Sequence, residues 1–202
     1  MNLLAHALLA APDDDVVLGS VIGDFVRGGI DPALPRGVRV GIALHRAVDA
    51  YTDAHASVAA ARALFAPPHR RYAGILLDLW FDHLLARDWP RHAPGTLHAF
   101  SESVRALLDA RRAELPERML GFARYLRERG LPEAYRERAV VAEALRGLST
   151  RLARANPLAD ALPALDRHAD AIERRFGEFF PELMRYAAAT RAQIERREAG
   201  VT

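Results

Sequence analysis

The chain has 202 residues, half of them hydrophobic, and no cysteine, which allows one compact domain with a sizeable core and excludes disulfides, zinc–thiolate sites and thiol nucleophiles. All 28 basic side chains are arginine, against 26 acids, for a formal net charge of +2. Lysine chemistry, whether a Schiff base or a P-loop, is therefore excluded, and dispersed, nearly balanced charge argues against a nucleic-acid binder.

Ala, Leu and Arg dominate, a mixture that favours helix. Residues 2–10 read as a short apolar helix ended by Ala11-Pro12. Asp13 to Asp15 supply a cap and first-turn acids for a second helix expected to reach Arg27, where Gly28-Gly29 stops it. A loop with two prolines covers 30–35, and a long helix is expected from Val38 to Leu64, stopped by Pro67-Pro68. The next should span His69 to Arg87. Between Thr96 and Glu114, Leu97, Phe100, Val104, Leu107 and Leu108 fall on one helix face. Pro116 suits the start of a helix ending near Gly130, and helices near 133–154 and 163–197 follow. The reading is all-α: a single helical domain over 1–190 and a charged, frayed tail over 191–202. The N-terminus lacks the cationic stretch of a signal peptide, and no apolar run approaches the roughly 20 residues that span a bilayer. A soluble, cytoplasmic protein is expected, with no membrane partner.

Polar groups interrupt this apolar pattern in a concentrated way. His45 and Asp49 are four apart and share a helix face, which Asp53 continues. Asp78 and Asp82 repeat the spacing, with His83 adjacent, in a segment apolar almost all round (Ile75, Leu76, Leu77, Leu79, Trp80, Phe81, Leu84, Leu85). Carboxylates and imidazoles in such surroundings need partners. Each has a structural alternative: His6 bonded to a core carbonyl, Asp24 paired with Arg27, His45 with Asp49. Asp53 reads as structural, and His55, His69, His92, His98 and His168 as solvated. Taken jointly, the set fits a divalent ion held by nitrogen and oxygen, namely Mn, Fe, Zn or Mg. Such an ion activates water and polarises a phosphoryl oxygen, while Arg27 and Arg46 nearby would clamp phosphate.

The segments Asn2-Leu3-Leu4-Ala5-His6, Gly23-Asp24-Phe25-Val26-Arg27-Gly28, His45-Arg46 with Asp49, Thr52-Asp53, and Asp78 with Phe81-Asp82-His83 resemble those of the acyl carrier protein phosphodiesterases, a family similar to the HD-domain metallophosphohydrolases. Phe176 to Met184 is a weaker echo. The resemblance implies an HD-domain-like helical fold and manganese-dependent hydrolysis of the phosphodiester that joins 4′-phosphopantetheine to a serine of holo acyl carrier protein. Two departures stand out. The His-Asp doublet of HD proteins is reversed here, as Asp82-His83, and position 8 is Leu where some relatives are expected to carry histidine. The expected metal set is Asp24, His45, Asp82 and His83, with Mn2+ favoured over Mg2+, Fe2+ or Zn2+. His6, Asp49 and Asp78 are expected in supporting or acid–base roles. Arg27 and Arg46 would bind substrate, and Arg36 and Arg39 would form a cationic rim for the acidic carrier protein. The alternatives are an HD-like hydrolase of nucleotides or other small phosphodiesters, and a non-catalytic, arginine-rich adaptor for an acidic protein.

Overall fold

A computed structural model describes residues 2–200. They form ten α-helices joined by short turns, several of them 3-10, with no strand among the described residues. The helices are α1 (Leu3–Ala10), α2 (Asp14–Ile22), α3 (Arg36–Ala54), α4 (Ala56–Ala63), α5 (Ala73–Arg87), α6 (Leu97–Ala110), α7 (Glu117–Glu128), α8 (Arg138–Arg151), α9 (Leu162–Arg167) and α10 (Ala169–Glu198). No described helix is long and apolar enough to cross a membrane.

Two helices organise the core. As its composition predicts, α5 is buried almost all round: Leu76, Leu77, Leu84 and Leu85 are at most 1 % exposed. The long α10 lays Phe176 and Phe179 against it, where both contact Phe81 of α5, and buries Phe180 beside Phe176. The Phe176–Met184 segment thus serves packing. On α6, Leu97, Val104 and Leu108 are buried and Phe100 and Leu107 partly so, as the periodicity requires.

The closest approach is between α2 and α3. A Cβ on Gly19 would sit 2.1 Å from the Val38 carbonyl oxygen, and one on Gly41 would sit 2.2 Å from that of Val16. Only glycine permits this backbone contact, which sets the depth at which α3 presents its polar face.

Some boundaries differ from expectation. Helix α2 ends at Ile22 and gives way to a 3-10 turn over Gly23–Phe25, rather than reaching Arg27. The expected helix from Val38 to Leu64 is two helices, because His55 is extended and its Nδ1 accepts the Ser57 amide, capping α4. Helix α10 continues to Glu198, and Arg191, expected to begin a frayed tail, donates to the carbonyls of Ala10 and Ala11. Residues 201 and 202 of that tail lie outside the described residues.

Several histidines expected to be solvated are packed instead. His55 lies against Phe179 and meets Glu182 at 3.2 Å. His168 stands edge-on to Phe65, and His92 stands edge-on to Phe176 and Phe180, whereas His98 is exposed as expected and meets Glu133 at the surface. Burial lowers the pKa of His92. A histidine whose folded pKa is depressed supports folding above its unfolded value near 6.5 and withdraws that support as pH falls below it. His92→Phe should therefore lose less stability than the parent between pH 7 and pH 5, read from urea midpoints. An equal loss would assign the acid sensitivity to other groups.

Candidate active site

The polar face of α3 points His45 and Asp49 toward α1 and the turn that follows α2. Burial keeps His45 only 5 % exposed, and its Nε2 lies 3.2 Å from Asp49 Oδ2 and 3.3 Å from Asp24 Oδ1. His6 of α1 places its Nε2 3.1 Å from Asp49 Oδ1. The two imidazoles stack with centroids 4.0 Å apart. Ser20 ties the pair together: its hydroxyl donates to the His6 carbonyl, and its own carbonyl accepts from His45 Nδ1 at 2.9 Å. That bond fixes the tautomer and leaves His45 Nε2 facing the carboxylates. Gly23 makes room for the ring, since a Cβ there would lie 2.3 Å from His45 Cγ.

The electrostatics follow from burial and pairing. Desolvation alone would lower His45, but hydrogen bonds to Asp24 and Asp49 outweigh it and raise its pKa to about 9. Desolvation lowers His6 to about 4, with Asp49 opposing. Asp49 is pushed up by burial, yet His45 and His6 hold it far below the usual carboxylate range. The His45 hydrogen bond also lowers Asp24, whose side chain is 74 % exposed. Two carboxylates, one imidazolium and one neutral imidazole leave the cluster net negative. Ligand atoms of His6, His45 and Asp49 lie within 4.8 Å of one another. Nitrogen and carboxylate donors with net negative charge fit a borderline-to-hard divalent cation, whose binding would displace the proton on His45 Nε2. The neighbouring buried His6 Nδ1 has no hydrogen-bond partner.

The cluster opens into a cavity of about 510 Å³ lined by His6, Ser20, Asp24, His45, Phe122, Arg118 and Arg151 among others. It adjoins a second chamber, with Asn2, Asp24, Phe122, Leu148 and Arg151 lining both. A solvent-open cleft with imidazole and carboxylate groups on its floor and arginines along its wall suits an anionic substrate.

A family model described as acyl carrier protein phosphodiesterase matches residues 1–183. The chain is 36 % identical over 190 residues to the acyl carrier protein phosphodiesterase of Enterobacter sp. (strain 638), covering 91 % of this chain and 96 % of that protein. It is 36 % identical to the like-named protein of Salmonella agona (strain SL483), covering 93 % and 98 %, and 35 % identical to that of Yersinia pestis, covering 93 % and 97 %. The chain belongs to the acyl carrier protein phosphodiesterase family. No solved structure matches it.

Within this family member, the expected site residues divide into two groups. His45 and Asp24 come together as expected. His6 and Asp49, expected in supporting roles, stand with His45 in the cluster itself. Asp82 and His83, expected as ligands, are engaged elsewhere. Asp82 is fully buried and accepts the amides of Leu4 at 2.8 Å and Ala5 at 3.2 Å, capping α1 from a distant helix. Burial raises its pKa to about 7 against the pull of those two amides. His83 donates from Nδ1 to the Tyr135 carbonyl at 2.9 Å. The reversed doublet thus holds α1 and the α7–α8 connection in place. Asp78, raised by burial, lines the second chamber rather than the cluster cavity. Asp53 pairs with Arg62, the structural role expected of it.

The arginines also move. Arg46 donates to the Val26 carbonyl and so secures the turn carrying Asp24. Arg27 is exposed and lines neither chamber. Arg36 and Arg39, expected on the rim, instead tie the start of α3 to α10, through the Glu195 carbonyl and the Glu198 carboxylate. The arginines that do line the cleft are Arg118 and Arg151. Nothing in their local sequence sets them apart from the other arginines on α7 and α8. Ser20 and Gly23 carry no local signal of this role either, although Gly23 begins one of the segments on which the family resemblance rests.

Proposed function

We propose that this chain hydrolyses the phosphodiester joining 4′-phosphopantetheine to the serine of holo acyl carrier protein, releasing apo carrier protein and 4′-phosphopantetheine. Family membership supports the reaction class, and the observation that carries it here is the His6–His45–Asp49 cluster at the floor of an arginine-walled cleft. Cytoplasmic location is part of the same proposal. In this reading His6, His45 and Asp49, with Asp24 beside them, hold a divalent cation, manganese by preference. The cation would supply Lewis-acid polarisation of the phosphoryl group and a more acidic water.

The chain's own residues do the rest. Arg118 and Arg151 face the negative charge on the non-bridging phosphoryl oxygens. Asp24, exposed in the cavity and held ionised by His45, orients the attacking water and takes its proton. As the P–O bond to serine breaks, that proton is the one the departing serine oxygen requires, so the step balances without an external acid. Ser20 and Gly23 are positioning residues, acting through the His45 ring.

Gly23→Ala tests that positioning. The added methyl must displace the His45 ring, because the nearest ring atom would be only 2.3 Å away. A misplacement of this size should cost about 100-fold in kcat, with near-parent circular dichroism. Parent-like kcat would show that the ring position is immaterial.

The proposed reaction is tested by incubating holo carrier protein with the enzyme and manganese and following the intact mass of the carrier. Loss of the prosthetic group, with 4′-phosphopantetheine recovered, is expected. Unchanged holo mass alongside cleavage of bis(p-nitrophenyl) phosphate would favour a hydrolase of small phosphodiesters. No cleavage of either would leave the adaptor.

A further inference from the structure

The cleft has two chambers, and the cluster occupies only one. The other, about 200 Å³, is walled by Ile75, Leu79, Phe122, Tyr125, Tyr135 and Leu148. Its polar groups are few and placed at its margins: Asn2 and Asp24 where the chambers meet, Asp78 from α5, and Arg151, whose guanidinium lies 5.9 Å from the centre of the Tyr125 ring. Such a chamber suits a ligand portion that is largely apolar, uncharged and studded with hydrogen-bonding groups. A phosphate would sit badly there, beside Asp78 and among aromatic rings, but well at the junction under Arg151.

We propose that this second chamber holds the amide-containing chain esterified to the phosphate, so that Arg151 grips the phosphodiester at the junction and the chain runs inward past Asp78 and the tyrosines. This rests on the reaction proposed above and adds to it a division of the cleft. The phosphoryl group lies over the cluster, the organic arm lies in the aromatic chamber, and the carrier protein stays outside the mouth. Recognition of the arm, rather than of the carrier protein alone, then becomes a source of specificity. Asp78 lies on the chamber wall that the arm passes and is a positioning and specificity residue for it.

Helix α8 supplies a clean way to close the chamber. Ala144, Gly147, Leu148 and Arg151 follow a single helix face into it, and a Cβ on Gly147 would meet nothing within 4 Å. A larger side chain enters open space there, and leaving glycine also favours the helix. Gly147→Phe should keep the parent melting temperature while filling the chamber. Two measurements decide the matter. In the first, pantetheine, which lacks the phosphate, is titrated into parent and variant and followed by intrinsic tyrosine fluorescence. Saturable binding by the parent, weakened at least about tenfold in the variant, is expected. No binding by the parent, or equal binding by both, overturns the proposal. In the second, the ratio of kcat/KM for holo carrier protein to that for bis(p-nitrophenyl) phosphate is expected to fall by about tenfold or more in the variant, and an unchanged ratio overturns it. A parent that binds pantetheine yet leaves holo carrier protein intact would retire the proposed reaction and leave the chamber assignment standing. Should Gly147→Phe melt early, Asp78→Leu at the same wall replaces it, read by the same titration with the same deciding outcomes.

Discussion

Asp49→Asn should abolish hydrolysis and weaken manganese binding by more than about 100-fold while leaving the melting temperature within a few degrees of the parent. A single carboxylate touches both histidines, at 3.1 Å to His6 and 3.2 Å to His45, so its loss removes one donor and unpins two others. Loss of even an outer hydrogen-bond partner typically costs 10- to 100-fold in metal affinity, and loss of a donor costs more. The fold should tolerate the change because Asn keeps the shape and the side chain is 38 % exposed, so no charge is stranded in the core. Binding is read from the free-manganese signal in electron paramagnetic resonance, activity from carrier-protein mass, and stability from a thermal melt. Full activity in this variant would remove Asp49 from the site. An early melt with normal manganese binding would give it a structural role.

The opposite result is expected at Asp82. Asp82→Ala leaves the buried Leu4 and Ala5 amides without acceptors and removes a cap at the α1 N-terminus. A lost cap is worth about 1 kcal/mol and each stranded amide about 1–3 kcal/mol. Some relaxation is expected, so a net loss of about 3 kcal/mol follows, a drop of roughly 6–12 °C for a chain of this length. Asp82→Asn should fall between, since its amide oxygen accepts one backbone N–H while its NH2 opposes the other. Because α1 carries His6, activity in both variants should track the folded fraction. A fully stable Asp82→Ala that binds no manganese would return Asp82 to the metal set.

The contrast between these two aspartates shows what the sequence could express. His45 and Asp49 share a face at i,i+4, and Asp24 closes the turn after an acid-capped helix, so local spacing alone makes them candidates. Asp82 has equally suggestive surroundings, but its partners lie 78 and 77 residues away. A buried carboxylate can be satisfied by a helix end as well as by a cation, and one-dimensional spacing does not distinguish the two. The helices themselves were legible wherever Pro, Gly or a strong apolar stripe marked them. The break at His55 was not, because it depends on an imidazole capping α4 and meeting Glu182 on α10. Arg118 and Arg151 were invisible for the same kind of reason. Their importance lies in which cleft α7 and α8 face, not in their neighbours along the chain.

In the proposed reaction His6, His45 and Asp49 together hold the catalytic cation, and locating that ion tests this most directly. A crystal grown with manganese and measured at the manganese absorption edge should show one strong anomalous peak about 2.0–2.3 Å from Nε2 of His6, Nε2 of His45 and an oxygen of Asp49. A peak beside Asp82 and His83, with this cluster bare in the same crystal, would contradict the account.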